Sequence, residues 1–265
     1  GLKAEERKKA EIDSLQYGTL THYLLERFLR EYKKTDFASL SNEDIAKIIS
    51  QYLNDYAVEE LGGIDNKPAR FKYLFYRIQD NAIKLLIHII KELSQSEFVP
   101  TAFELNVGKD IPAYNLTLDD GSSLSVRGSV DRVDVMDKNG EKYIRVIDYK
   151  TGSKTFKIGD IMYGLNLQML IYLSAIKANG KDYFGDNIVP CGVLYQPAKA
   201  KFVSSDDKND SEKNLNEFDK NLRMNGIILN NDSVIIGMDS TEKAKYIPVK
   251  KSSRGGYAGA DYLYD

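Results

Sequence analysis

Tryptophan is absent from this 265-residue chain, cysteine occurs once and histidine only twice. The single cysteine, Cys191, rules out an intrachain disulfide and points to a reducing, cytoplasmic compartment. It sits in an apolar run, residues 189–194, and is expected to be a small buried hydrophobe. No long uncharged apolar run is available as a membrane helix, and the N-terminus carries no signal-like pattern. Basic residues are not in excess either: 37 Lys and Arg stand against 39 Asp and Glu, a net charge of −2. Autonomous DNA-binding domains are usually basic, so this balance argues mildly against one. It says nothing of local distribution, and a carboxylate-rich metal site would itself add negative charge.

What is present fits a globular chain: 42% hydrophobic, 29% charged, with 18 Tyr and 10 Phe. That is enough for one large domain or two small ones. Gly1-Leu2-Lys3 runs without an initiator Met into a charged helical pattern, so a fragment of a larger protein is expected. Residues 4–34 read as helix, with Leu20, Tyr23, Leu24, Phe28 and Leu29 at three-to-four spacing. Further helices are expected over 42–60, capped by Ser41 or Asn42 and stopped at Gly62-Gly63, and over 69–93. His88 lies in the apolar stretch of that last helix, where a structural role is expected.

The pattern then turns to strands. Residues 101–107 alternate, with Phe103, Leu105 and Val107 on one face and Ala102, Glu104 and Asn106 on the other. Residues 116–118 and 124–127 flank the turn Asp119-Asp120-Gly121. Residues 128–136 and 142–149 flank Asn139-Gly140, the strongest short-range hairpin signal. A helix over 160–178 and a strand over 192–195 follow, then a polar loop near 199–220 that ends in a short surface helix. Residues 227–229 and 234–237 are short strand candidates, and the tail near 252–256 looks loosely ordered. Helices first, then antiparallel strands, then helix and strand, indicate an α+β or mixed α/β domain. The organisation expected is a helical segment, 1–95, packing on a core, 96–265, as one structural domain overall.

A two-residue loop at Asn139-Gly140 sets Lys138 against Glu141 and, seven residues back on each arm, Asp131 against Asp148. Opposed side chains have Cβ atoms about 4.5–5.5 Å apart. Two carboxylates so placed repel unless a cation or proton is shared, and a divalent ion with oxygen ligands fits. Period two puts Asp148 and Lys150 on one face, with Tyr149 on the other. Lysine there would supply a compact charge for a phosphate. The plainer reading is an exposed hairpin with ion pairs on its polar face.

Three stretches carry a resemblance: Gly128-Ser-Val-Asp131-Arg-Val-Asp134, Val146-Ile-Asp148-Tyr-Lys150-Thr-Gly, and Tyr163-Gly-Leu-Asn-Leu-Gln168-Met-Leu-Ile-Tyr172. Together with Gly18-Thr-Leu-Thr-His22 upstream, and Cys191-Gly-Val-Leu-Tyr195 and Met224-Asn-Gly-Ile-Ile-Leu-Asn230 downstream, this ordered set resembles the PD-(D/E)xK nuclease superfamily. Within it, the set is similar to the RecB-type nuclease domain at the C-terminus of the AddB (RexB) subunit of AddAB helicase–nucleases. The resemblance implies a restriction-endonuclease-like core, a central mixed sheet flanked by helices after an N-terminal helical segment. It implies that Asp131, Asp148 and His22 hold Mg²⁺ or Mn²⁺ with the carbonyl of Tyr149, and that Lys150 is the catalytic lysine. Gln168 and Tyr172 would lie near the DNA strand, and Glu104 would be an additional acid. It further implies an exonuclease acting on a strand fed by a helicase partner of AddA type, with 5′-ended polarity, in recombinational break repair. Such subunits hold an iron–sulfur cluster on four cysteines; with Cys191 matching none of them, no Fe–S cluster is expected in this fragment.

Each assignment has a plainer counterpart. His22 could simply contact Glu26, one helical turn on. Gly164, Gln168 and Tyr172 could be a packing stripe, and Glu104 an exposed strand residue. Lys154, Lys157 and the cluster Lys243, Lys245, Lys250, Lys251 and Arg254 could all be solvated surface. For the whole chain, the alternatives to a nuclease are a catalytically weak or inactive nuclease-fold module that binds DNA or partner subunits, and a structural interaction module.

Overall fold

The computed structural model describes residues 14–117, 119–152, 167–198, 219–252, 256–259 and 262–264. The chain divides into two units, Gly1–Ile87 and His88–Asp265.

In the first unit the amphipathic spacing produces the expected helices. Helix α1 (Ser14–Glu31) buries Leu20, Leu24, Leu25, Phe28 and Leu29. A 3₁₀ turn (Lys34–Ser39) buries Phe37. Helix α2 (Asn42–Leu61) begins at Ser41, whose side chain accepts from the Asp44 amide, and ends at Gly62 in the left-handed conformation, φ 66°. Both ends follow from the residue types: a hydroxyl to satisfy an orphan N–H, and a glycine to turn without Cβ cost. Helix α3 (Ala69–Gln95) follows, and the boundary between the units falls within it.

The second unit is a six-stranded mixed sheet in the order β1-β4-β5-β6-β7-β10. Its strands are β1 (Val99–Val107), β4 (Gly128–Lys138), β5 (Glu141–Lys150), β6 (Ile188–Pro197), β7 (Asn225–Leu229) and β10 (Leu263–Tyr264). Strands β2 (Tyr114–Thr117) and β3 (Ser123–Val126) form a separate hairpin, as do β8 (Lys250–Lys251) and β9 (Tyr257–Ala258). The β5–β6 and β7–β10 pairs are parallel; the other neighbours in the large sheet are antiparallel. Helix α4 (Leu167–Asn179), followed by the single turn α5 (Lys181–Phe184), contributes Met169, Tyr172, Leu173, Ala175 and Ile176 to one core, against Ile144, Val146 and Val193. Helix α6 (Asp232–Met238) contributes Val234, Ile235 and Met238 to a second core, against Met136, Ile147 and Leu194. Alternate residues of β5 and β6 enter different cores, as a sheet covered on both faces requires. The expectation of a mixed α/β fold with a flanked central sheet is met. Among the described residues, no helix is long and apolar enough to cross a membrane.

Residues 234–237, expected as a strand, are instead in helix α6, whose first turn is capped by Asn231 accepting from the Val234 amide. A four-residue apolar run carries no usable period, and the cap decides between helix and strand. The alternation expected along 101–107 also fails: Ala102, Leu105 and Val107 share one core, and Phe103 is only half-buried. The break falls at Glu104, whose φ is 49°. Residues 4–13, Lys154, Lys157, Gly164 and the rest of 160–166, the polar loop over 199–218 and Arg254 lie outside the described residues. Lys243, Lys245, Lys250 and Lys251 are exposed.

Candidate active site

The Asn139-Gly140 turn has both residues at positive φ, 55° and 81°, and sets Lys138 against Glu141. From there the β4–β5 pairing runs without a slip to Arg132↔Ile147, one step short of Asp131 and Asp148. On the other side of β4, the pairs Phe103↔Arg132 and Leu105↔Val130 bracket Glu104 and Asp131. Strand β6 sets Tyr195 against Asp148. These registers, with that of β4–β5 carried one step further, line up Glu104, Asp131, Asp148 and Tyr195 in one row.

Alternation along β5 turns Asp148 and Lys150 to the α4 side of the sheet, where Ile144 and Val146 pack. Glu104 and Asp131 offer carboxylate oxygens within 4.8 Å of each other. Asp131 also accepts a hydrogen bond from the Tyr149 amide, 2.8 Å, and Glu104 one from the Ser129 hydroxyl, 2.9 Å. Asp148 faces Lys150 instead: Nζ is 2.5 Å from Oδ2, and the lysine and aspartate side chains are 49% and 18% exposed. That same oxygen is buried, so the Lys150 ammonium is its close partner. Glu104 and Asp131 together offer oxygen donors that a hard divalent cation fits, with the Asp148–Lys150 ion pair on the neighbouring strand.

Tyr149 points to the opposite face. Its ring is buried, its hydroxyl accepts from Arg132 Nη1 at 3.1 Å, and burial pushes its pKa up to about 12. Around it lies a charge network that sequence reasoning missed. Arg132 and Arg145 both pair with Asp134, and Arg145 Nη2 also pairs with Glu92 at 2.7 Å; all four are almost fully buried. The only signal was the charged positions 132, 134 and 145 within otherwise apolar strands, which a hairpin's polar face mimics.

His22 is half-buried on α1, and Glu26, its plain alternative partner, accepts from Arg30 Nε at 2.8 Å. Gln168 donates to the Tyr172 hydroxyl at 2.8 Å. Tyr172 itself is 3% exposed within the α4 core, so its ring is not open for stacking on a base. A Cβ on Gly128 would lie 1.7 Å from that hydroxyl, which is why glycine stands at the start of the Gly-x-x-Asp stretch. His88 has the structural role expected: it is buried, its Nδ1 is 3.2 Å from Asp219, and its ring meets Tyr246 edge-on. Cys191 is buried and free, its thiol pushed up by burial.

Against this geometry, the chain matches the PD-(D/E)XK nuclease superfamily over residues 1–240. It belongs to that superfamily. Its relatives include proteins named as a subunit of an ATP-dependent helicase/deoxyribonuclease. The one from Clostridium novyi is 34% identical over 90% of this chain and 21% of its own length. Those from Clostridioides difficile and Clostridium botulinum are 31% and 34% identical, over 91% and 97% of this chain and 21% and 23% of theirs. The chain thus spans about a fifth of the length of these relatives. The superfamily's name encodes an acid, a second acid and a lysine, the residue types found at Asp131, Asp148 and Lys150.

Proposed function

We propose that this chain hydrolyses phosphodiester bonds in DNA, with Asp131 and Asp148 holding Mg²⁺ or Mn²⁺. The observation that supports this most directly is the acid row on β1, β4 and β5 with Lys150 beside Asp148. His22 is proposed as a further ligand by family resemblance, with the Tyr149 carbonyl, and Glu104 as an additional acid. An imidazole is softer than Mg²⁺ prefers, so Mn²⁺ should support activity well. A bound divalent ion would supply Lewis acidity toward a phosphate oxygen and lower the pKa of its water.

The chain's own residues do the rest. The Lys150 ammonium orients the attacking water and offsets charge that develops on the phosphate oxygens. The Tyr149 amide, bonded to Asp131, fixes that carboxylate so that it meets a cation without reorganising. Gln168 lies on the helix proposed to approach the DNA strand and would hydrogen-bond it directly. The names of the relatives favour a deoxyribonuclease working with a helicase, and we extend this to an exonuclease on a single strand delivered by an AddA-type subunit during recombinational break repair.

Digestion of 5′- and 3′-labelled single-stranded DNA with Mg²⁺, Mn²⁺ or EDTA tests the reading. Cleavage that requires metal and disappears in Asp148→Ala is the expected result. A folded chain that cuts neither substrate under any condition would refute an autonomous nuclease.

A further inference from the structure

Lys150 has a second neighbour besides Asp148. Its Nζ lies 5.6 Å from the centre of the Tyr195 ring, within cation–π reach. Tyr195 is brought there by register, since β5–β6 pairing sets it directly against Asp148, two residues before Lys150. The ring is 7% exposed and packed into the core that holds Val146 and Tyr172, whereas the Lys150 side chain is 49% exposed. The lysine is the mobile partner and the ring the fixed one. A flexible four-carbon stem tethered to one carboxylate can swing widely, and that carboxylate is itself needed for the cation. The ring face is the anchor that does not compete with Asp148's other task.

We propose that Tyr195 is a positioning residue for Lys150: its buried ring face holds the ammonium at the edge of the acid row. The geometry stands by itself, while the consequence for catalysis rests on the nuclease reading above. The contact predicts that an aromatic face is required at position 195 and a hydroxyl is not.

The first readout is independent of activity. The intact chain is reductively methylated with ¹³C-formaldehyde, and the Lys150 resonance is assigned by its loss in Lys150→Arg. An upfield ring-current shift in the wild type and in Tyr195→Phe, lost in Tyr195→Leu, is expected. An unchanged position in Tyr195→Leu overturns the proposal, whether or not the chain cuts DNA. Tyr195→Met, which fills volume without a π face, replaces the leucine variant should that one fail to fold.

The second readout is kinetic. Tyr195→Leu should lower kcat about ten- to a hundredfold, as expected of a catalytic group displaced by an ångström, with KM and Mn²⁺ affinity unchanged. Tyr195→Phe should restore the rate, and Tyr195→Leu should add nothing in a Lys150→Ala background. A phenylalanine variant as impaired as the leucine one would give the role to the hydroxyl and overturn the ring contact. A wild type that shows the ring-current shift but cuts no DNA refutes the nuclease reading alone.

Discussion

Two arginines and two acids lie buried together behind the candidate site, and removing any one leaves a charge stranded. Asp134 is the pivot, because it pairs with both Arg132 and Arg145. Asp134→Ala should cost about 3–5 kcal/mol, read as a drop in the urea midpoint at constant slope. A loss below about 1 kcal/mol would mean that water reaches the network. Gly128→Ala forces a methyl into the place of the Tyr172 hydroxyl and should cost about 1–3 kcal/mol by the same measurement. At this scale the sequence was partly legible. Asp131, Asp148 and Lys150 stood out because acids and a lysine on an apolar strand are costly without a reason. Arg132, Asp134 and Arg145 did not, because ion pairing inside a core and solvation on a surface leave the same residue types in the sequence.

The β4–β5 hairpin was the most legible element. A two-residue Asn-Gly loop admits one register, and the expected pairing holds from Lys138↔Glu141 to Arg132↔Ile147. Gly140 is at φ 81° in open space, so Gly140→Ala meets no clash and pays only for the backbone conformation, about 1 kcal/mol in thermal or urea unfolding. A stability equal to the wild type would show that the loop had changed type. Shorter elements were harder. Residues 234–237 are apolar and few, and only the Asn231 cap distinguishes helix from strand. Strand β10 has two residues and finds its place by pairing with β7, a contact between distant segments that no local pattern announces.

For the whole molecule, the acid row predicts that a divalent metal acts on folding as well as on the proposed cleavage. The Glu104 and Asp131 carboxylates, with oxygens within 4.8 Å of each other, repel, and a cation bound to the folded chain stabilises it by mass action, by about 2.7 kcal/mol at a hundred times its Kd. Mn²⁺ should therefore raise the melting midpoint of the wild type, and Asp131→Ala should lose that rise. Acid should act at a separate place. The hydrogen bond from His88 holds the Asp219 carboxyl below its usual value, so its contribution is complete above the unfolded pKa of about 3.9 and is lost as pH falls through the lower, folded value. The stability gap between wild type and Asp219→Asn should thus close as pH falls below about 4. A gap that widened there would reverse the assignment. The class of fold was legible from element order, and the family from the order of motifs. The meeting of Glu104 with Asp131 was not, because it depends on the pairing of β1 with β4, which no local pattern announces.

The left-handed backbone at Glu104 has a consequence for how such a domain would decay. Glutamate is a poor occupant of a left-handed backbone position, and holding it there costs about 1–3 kcal/mol that glycine or asparagine would largely avoid. On the proposed function, a lineage freed from the need to cut DNA would gain stability by this one replacement. Position 104 is therefore where loss of selection on activity should first be written into descendant sequences.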